Sequence, residues 1–386
     1  MSGTDLLERR KAAITDTGWG ASVGWRQPRN ACLWVFVAVI AYGLWYTFDT
    51  VRVVGGTTGE PLAISAIVFS LYGVVFWWFT THIDRYSRQP LDLRFAAFLW
   101  GGFGATWTIA LHSNTALISI LGKVFGQDFA NGWGAGIAAP LGEELGKGAG
   151  VLLLVFIAPR VMRTAFDGFV IGAFVGLGFE IIEDILYAIN SATESFGADP
   201  VGTSLHTVML RLGTGFSSHI VYSAIFGAGV VYLVGTRGQK RRVGLGLVLC
   251  ATSMLLHGTW DSTLALAGGN SVAVSLLLLA GVIVPILIVV CVFHVAVAGE
   301  RRAMRDVLAP EVADGTMTDD ELDAVSGAWK QRRRFRRAGG IKDRRRRGHR
   351  LEAAHDLADE LGAARGEETD RVRFARSELE RFAAER

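Results

Sequence analysis

Six residues inside otherwise apolar runs carry side chains suited to acid–base or metal chemistry. They are Glu143 and Glu144 in Pro140-Leu141-Gly142-Glu143-Glu144-Leu145-Gly146-Lys147, Glu183 in Phe179-Glu180-x-x-Glu183-Asp184-x-x-Tyr187, His219 in Ser217-Ser218-His219, and both ends of His257-x-x-x-Asp261. A charge in the middle of a bilayer costs roughly 2.5–3.5 kcal/mol on insertion scales, so a chain carries one only where pairing, a water-filled cavity or a metal offsets it. On a helix Glu143 faces Lys147 at i,i+4 and Glu144 faces it at i,i+3, so one carboxylate can be neutralised while the other stays available. A free carboxylate can deprotonate water, and imidazole with carboxylate is a ligand set for a catalytic cation. Each cluster also has a plainer reading: a hydrogen-bonded packing histidine, a Glu–Lys staple, or solvated acids at an interface in the case of Glu180 and Asp184. His112 and His294 lie near the ends of apolar runs without acidic companions and read as structural.

The elements that must position these residues are read from composition. The chain has 386 residues, 51% of them hydrophobic, and a mean hydropathy of +0.34, which excludes an ordinary soluble domain. Eleven Trp and 22 Phe suit interfacial belts and lipid-facing surfaces. Apolar runs at 32–48, 62–81, 95–121, 134–157, 168–189, 212–234, 243–266 and 272–298 are each near the ~20 residues that cross a hydrocarbon core. Apolar all round, they read as helices, because only helices and closed barrels satisfy their backbone in lipid. The expected fold is an all-α polytopic bundle of about eight transmembrane helices. Its expected division is a cytoplasmic segment 1–29, a transmembrane domain 30–298 and a cytoplasmic charged tail 299–386. Cys32, Cys250 and Cys291 sit in apolar runs without ligand spacing and are expected as buried, reduced thiols.

Basic residues fall on alternate loops: Arg85 and Arg88, Arg160 and Arg163, then Arg237, Lys240, Arg241 and Arg242. The intervening loops carry few, such as Arg52, Lys123 and Arg211. The positive-inside rule then places both termini in the cytoplasm of a cell-membrane protein. Helix rise puts Glu144 ~15 Å below the outer end of its run, Glu183 ~22 Å up from the inner end, His219 ~10 Å down and His257 ~21 Å up. Antiparallel helices thus bring all four clusters to one level in the outer half of the bilayer.

The series Glu-Glu-x-x-Lys, Phe-x-x-x-Glu followed by an acid and Tyr, an isolated His, and His-x-x-x-Asp on successive helices resembles the PrsW family of intramembrane proteases. That family is similar to the CAAX-prenyl endopeptidases and bacteriocin-processing membrane proteases, whose pattern has His at the position of Glu183 and Asn at the position of Asp261. The resemblance covers roughly residues 28–298. It implies an intramembrane endopeptidase acting on membrane-protein substrates in the lipid bilayer, with Glu143, Glu144, Glu183, His219, His257 and Asp261 as its site. It further implies Zn²⁺ held by His219, His257 and Glu183, or a metal-free mechanism in which a Glu activates water. Gly172, Gly176 and Gly178 would let a neighbouring helix, or a substrate, approach closely.

Two other classes use the same residues: a proton- or ion-coupled transporter or channel with an acidic path, and a non-catalytic membrane scaffold. No inverted repeat of a transporter is evident. The tail from 330 to 350 holds about a dozen Lys or Arg against Asp343 and reads as solvated or lying on anionic lipid, with no nucleic-acid partner since no recognition motif accompanies it. Residues 351–386 alternate acids and bases, as in an exposed helix or a partner helix.

Overall fold

The computed structural model describes residues 3–215 and 218–384; Ser217 of the third cluster lies outside the described residues. Every element among these is helical and no strand occurs. In order they are α1 (Gly3–Thr17), α2 (Ala31–Ile83), α3 (Leu91–Leu99), a π-helical segment (Trp100–Ala110), α4 (Leu111–Phe125), α5 (Gln127–Ala139) and a second π-helical segment (Pro140–Glu144). There follow α6 (Leu145–Ile157), α7 (Ala165–Ser191), α8 (Pro200–Thr214), α9 (His219–Val234), α10 (Val243–Asp261), α11 (Thr263–Ala267) and α12 (Ser271–Ala313). The C-terminal part adds α13 (Asp319–Ser326), α14 (Trp329–Arg337), α15 (Ile341–Ala363) and α16 (Asp370–Ala384).

Among the described residues the eight apolar runs fall largely on helix, but not as eight simple rods. The first two are joined in α2, 53 residues long and interrupted only at Thr58 (φ −126°, ψ 27°), three residues before Pro61. Proline removes a backbone donor and clashes with the preceding turn, which accounts for the break. By length and apolar composition α2, α10 and α12 can each cross a membrane, and α8 with α9, bent by 46°, forms a fourth candidate. The central helix α7 carries Asp167, Glu180, Glu183 and Asp184 within its length.

Two helices form the core of the bundle. All of α7 from 165 to 181 is buried, and α9 is buried from His219 to Tyr232 except at Val221. A helix apolar on every side belongs in an interior, and this pair can pack closely because its contact is made of glycine. A methyl group at Gly172 would meet Ser223 O at 2.2 Å, and one at Gly176 would meet His219 O at 2.3 Å. The latter contact fixes the height of His219 against α7. Gly178 serves the other side of α7, where a methyl would meet Phe98 O at 2.0 Å.

A second hydrophobic core lies beyond the bundle. Ile14 and Trp19 from the N-terminal segment pack with Met304, Val307 and Leu308 of α12 and with Leu322, Leu351, Leu357 and Leu361 of the tail. At ~1.5 Å per residue α12 is about 65 Å long, twice the hydrocarbon thickness, so its second half runs into this core without a break at 298. For residues 351–384 the partner-helix alternative is therefore the one realised. The basic loops gather here too. Tyr86 donates to Gly327 O at 2.6 Å, Arg88 pairs with Asp356 at 3.1 Å, Arg163 donates to Asp16 O at 3.0 Å and Thr236 donates to Arg163 O. The N-terminal segment, three basic loops and the tail thus share one end of the bundle.

The three cysteines are free, as expected, but only Cys250 is buried; Cys291 is exposed. Its helix α12 turns a lipid-type surface outward there, with Leu287 and Val290 also exposed, so burial in lipid replaces burial in protein.

Candidate functional site

The site is built around a break in the fourth apolar run. Pro140 has no N–H to give, and the chain from Pro140 to Glu144 winds as a π-helical turn between α5 and α6. Such bulges widen the helix locally and recur at functional positions. Here the bulge turns both Glu143 and Glu144 inward, 3% and 0% exposed. Gly142 adds the close approach of α4: a methyl there would meet Ser113 Oγ at 2.2 Å and Asn114 Oδ1 at 2.6 Å. That proximity brings Asn114 Nδ2 within 2.9 Å of Glu143 Oε1, to which it donates.

The two glutamates have different surroundings. Glu144 Oε1 lies 2.5 Å from Lys147 Nζ and 3.0 Å from His257 Nδ1, while Oε2 accepts from Ser253 Oγ at 3.0 Å. Both oxygens of Glu144 thus have partners. Glu143 Oε2 has no hydrogen-bond partner although buried. It stands 3.8 Å from Lys147 Nζ, 3.8 Å from His219 Nδ1 and 3.7 Å from His257 Nε2.

His219 opens α9, and its ring sits between Lys147 Nζ, 3.0 Å from Nδ1, and Glu183 Oε2, 2.8 Å from Nε2. An ammonium can only donate, so Nδ1 is the acceptor and Nε2 carries the proton donated to Glu183. The start of α9 is itself held by Glu180, whose Oε2 accepts from Ser218 Oγ at 2.6 Å and from His219 N at 3.0 Å. His257 faces carboxylates on both sides, with Asp261 Oδ2 3.3 Å from Nε2, so each ring nitrogen can carry a proton. Its ring stacks on Tyr222 at 5.4 Å and meets the His219 ring edge-on at 5.1 Å.

All six residues singled out in the sequence come together. Five of them, Glu143, Glu183, His219, His257 and Asp261, line a cavity of about 420 Å³, with Asn114, Tyr187, Arg211 and Tyr222 among its other walls; Glu144 lies behind it, in the protein. Glu143, His219 and His257 each offer a donor atom within 4.8 Å of the others, the arrangement a metal ion can use. Glu183 is beside them, hydrogen-bonded to His219.

Glu180 and Asp184, for which the sequence also allowed a solvated reading, are instead 0% and 1% exposed; Glu180 is held through Oε2 alone, and its Oε1 has no hydrogen-bond partner. Asp184 is held by Arg211, which the sequence places in a loop and which lies on α8. Its Nη2 donates to Glu183 Oε2 at 2.8 Å, its Nε donates to Asp184, and its guanidinium covers the Tyr187 ring at 4.5 Å. Asn114, Ser253 and Tyr222 were likewise missed. Asn114 alone gave a signal, as an amide in an apolar run. His112 and His294 are structural as expected, each ring within reach of a carbonyl of its own helix, Trp107 O at 3.2 Å and Val290 O at 2.7 Å.

Fold and site together define a class: a helix-bundle membrane protein with a polar, Glu/His-lined cavity inside the bundle. Residues 89–295 match the PrsW family intramembrane metalloprotease. The match covers more than half of the chain, and the chain belongs to that family. No curated protein and no solved structure matches it.

Lys147 is 1% exposed and neutralises the buried carboxylate Glu144. Removing one member of a buried pair costs about 3–5 kcal/mol, because the remaining charge stays uncompensated. Lys147→Met is therefore expected to lose most of its folded yield, and Lys147→Met/Glu144→Gln to regain much of it, as read by melting in detergent. Equal stability of the single variant and wild type would show that the pair is not what holds Glu144.

Proposed function

We propose that the protein is an intramembrane endopeptidase hydrolysing peptide bonds of membrane-associated proteins, with Glu143 as its base. The observation that carries this reading is the unpartnered Oε2 of Glu143, facing the cavity between two imidazoles while Glu144 is occupied by Lys147, His257 and Ser253. A water molecule against Oε2 would give up its proton as it attacks the scissile carbonyl, and Glu143 would return that proton to the leaving amine. Asn114 holds the other oxygen and so orients the carboxylate. His257, kept in place by Glu144 and Asp261 and 3.7 Å from Glu143 Oε2, would donate to the tetrahedral oxyanion. His219 is fixed between Lys147 and Glu183, and Arg211 keeps Glu183 from drifting.

Two imidazoles and a carboxylate with an orphaned buried oxygen also fit a cation of the Zn²⁺ type; Glu143, His219 and His257 would hold it, Glu143 then serving as a ligand and not as the free base, and Glu183 would orient His219. A bound Zn²⁺ would supply Lewis acidity and lower the pKa of its water.

For topology we propose eight crossings, two of them within α2. The shared end of termini and basic loops is then the cytoplasmic side, and the cavity opens on the outer one. The domain boundaries we propose are 1–29 and 299–386 for the cytoplasmic part and 30–298 for the transmembrane part. What supports this is the gathering of Arg88, Arg163, α1 and the tail at one end, together with the excess of basic residues there.

Glu143→Gln is expected to lose at least about 100-fold in cleavage of a single-span substrate, the lower range for a lost general base, with its melting temperature unchanged. Cleavage at the wild-type rate by this variant would falsify the assignment of the base. Elemental analysis of purified protein is expected to find one Zn²⁺ per chain, with metal and cleavage lost together in His219→Ala/His257→Ala. Full activity after the metal has been stripped by chelator would leave the carboxylate and histidines to act without it. Access is tested in a background lacking the three native cysteines. Thr214→Cys, on the cavity wall, is expected to react with a membrane-impermeant thiol reagent added outside cells, and Leu255→Cys, on the outer apolar surface, is not. Labelling of Thr214→Cys only from the cytoplasmic side would reverse the topology.

A further inference from the structure

Far from the Glu/His cavity, at the end of the bundle where the tail packs, six guanidinium groups converge. Arg85, which follows α2, and Arg332, Arg333, Arg336, Arg337 and Arg344 of the tail line a pocket of about 360 Å³ whose only carboxylate is Glu352. Among the described residues none of the six makes an ion pair, and Glu352 itself leans toward His349 at 3.5 Å. Such a cluster repels itself and needs a counter-charge. Arg85 Nε and Arg336 Nε are shielded from solvent with no hydrogen-bond partner. Arg332 is held in place by donating to His355 Nε2 at 3.0 Å, and Arg333 stacks on Trp329 at 4.8 Å. Burial, and then the neighbouring Arg85 and Arg336, pull the Arg332 guanidinium down to about 10. The same positive surroundings, added to burial, hold His355 well below the usual histidine range.

Next to the pocket along α2 lies an apolar groove. Val75, Trp78, Phe79 and Ile83 of α2 line a groove of about 620 Å³ with Phe169, Ile220 and Phe293, whereas His82 and Arg85, one turn further, line the basic pocket. The Trp78 and His82 rings stack at 5.7 Å across the junction. An arginine cluster at the end of an apolar groove matches one kind of molecule: an anion carrying a hydrocarbon chain.

We propose that this pocket binds the phosphate group of an anionic phospholipid, with an acyl chain along the Val75–Trp78–Phe79 groove, and so joins the tail to α2 in the bilayer. Guanidinium forks recognise phosphate oxygens bidentately, which a diffuse basic surface does not do. The inference is independent of the protease reading.

The test uses the full-length protein in detergent and reads its melting temperature. Phosphatidylglycerol is expected to raise it by several degrees over the same mole fraction of phosphatidylcholine. Arg333→Gln/Arg336→Gln should lose most of that rise. Arg334→Gln/Arg345→Gln, which removes equal charge from exposed positions outside the pocket, should keep it. If the first pair folds poorly in phosphatidylcholine, the exposed pair Arg337→Gln/Arg344→Gln serves instead. A second arm adds inorganic phosphate at matched ionic strength without lipid. Little or no rise there supports the phospholipid, and a rise equal to that of phosphatidylglycerol would reassign the pocket to a soluble phosphate and overturn the lipid. Equal losses in the pocket and control variants, or no response to phosphatidylglycerol, would overturn the site itself.

Discussion

The structure depends on one ion pair inside the bundle. Lys147 and Glu144, one turn apart, are 1% and 0% exposed and 2.5 Å from each other. Neither could be buried alone, since desolvation of either charge exceeds what a typical domain can spare. Paired, they become a template. The ammonium also reaches His219 at 3.0 Å and lies over the Phe179 ring at 4.3 Å. The carboxylate holds His257 and Ser253. Four helices are thereby tied to one charge pair, and Glu143 is left as the carboxylate with an idle oxygen toward the cavity.

Around that pair the backbone makes two accommodations. The proline-initiated π-helical turn at Pro140–Glu144 changes the angle at which successive side chains leave the helix, so that neighbouring glutamates can both point inward. The glycine contact of α7 with α9 brings His219 and Glu183 to hydrogen-bonding distance, because a side chain at Gly176 would displace the backbone of His219 itself. Both devices give up helical regularity or packing volume for position, a trade seen where a site and not the fold sets the geometry.

The opposite end of the chain follows ordinary rules of globular packing. α12 runs on beyond the bundle as a continuous helix, and its apolar face there is covered by α1, α13 and α15. Arg10 with Glu311 at 2.8 Å, both buried, fastens the N-terminal helix to it. The arginines of α14 and α15 are then not a loose basic run: several of them line one pocket beside the end of α2.

The sequence by itself determined the all-helical class, the positions of the apolar runs and which buried polar residues to group, because a charge in an apolar run is costly enough to be conspicuous without coordinates. Equal depth along antiparallel helices was enough to group Glu144, Glu183, His219 and His257. Tertiary structure alone showed that Glu143, unlike Glu144, keeps a buried oxygen without a hydrogen-bond partner, because both lie within one turn of Lys147, at i,i+4 and i,i+3, and differ in what other helices bring to them. It alone showed that Glu180 and Asp184 are buried, since their partners, Ser218 and Arg211, stand 38 and 27 residues away in the chain. The kinked continuity of α2 and the second core under the tail were likewise beyond periodicity. Hydropathy reports how apolar a segment is, and the face it buries depends on neighbours that only the folded chain supplies.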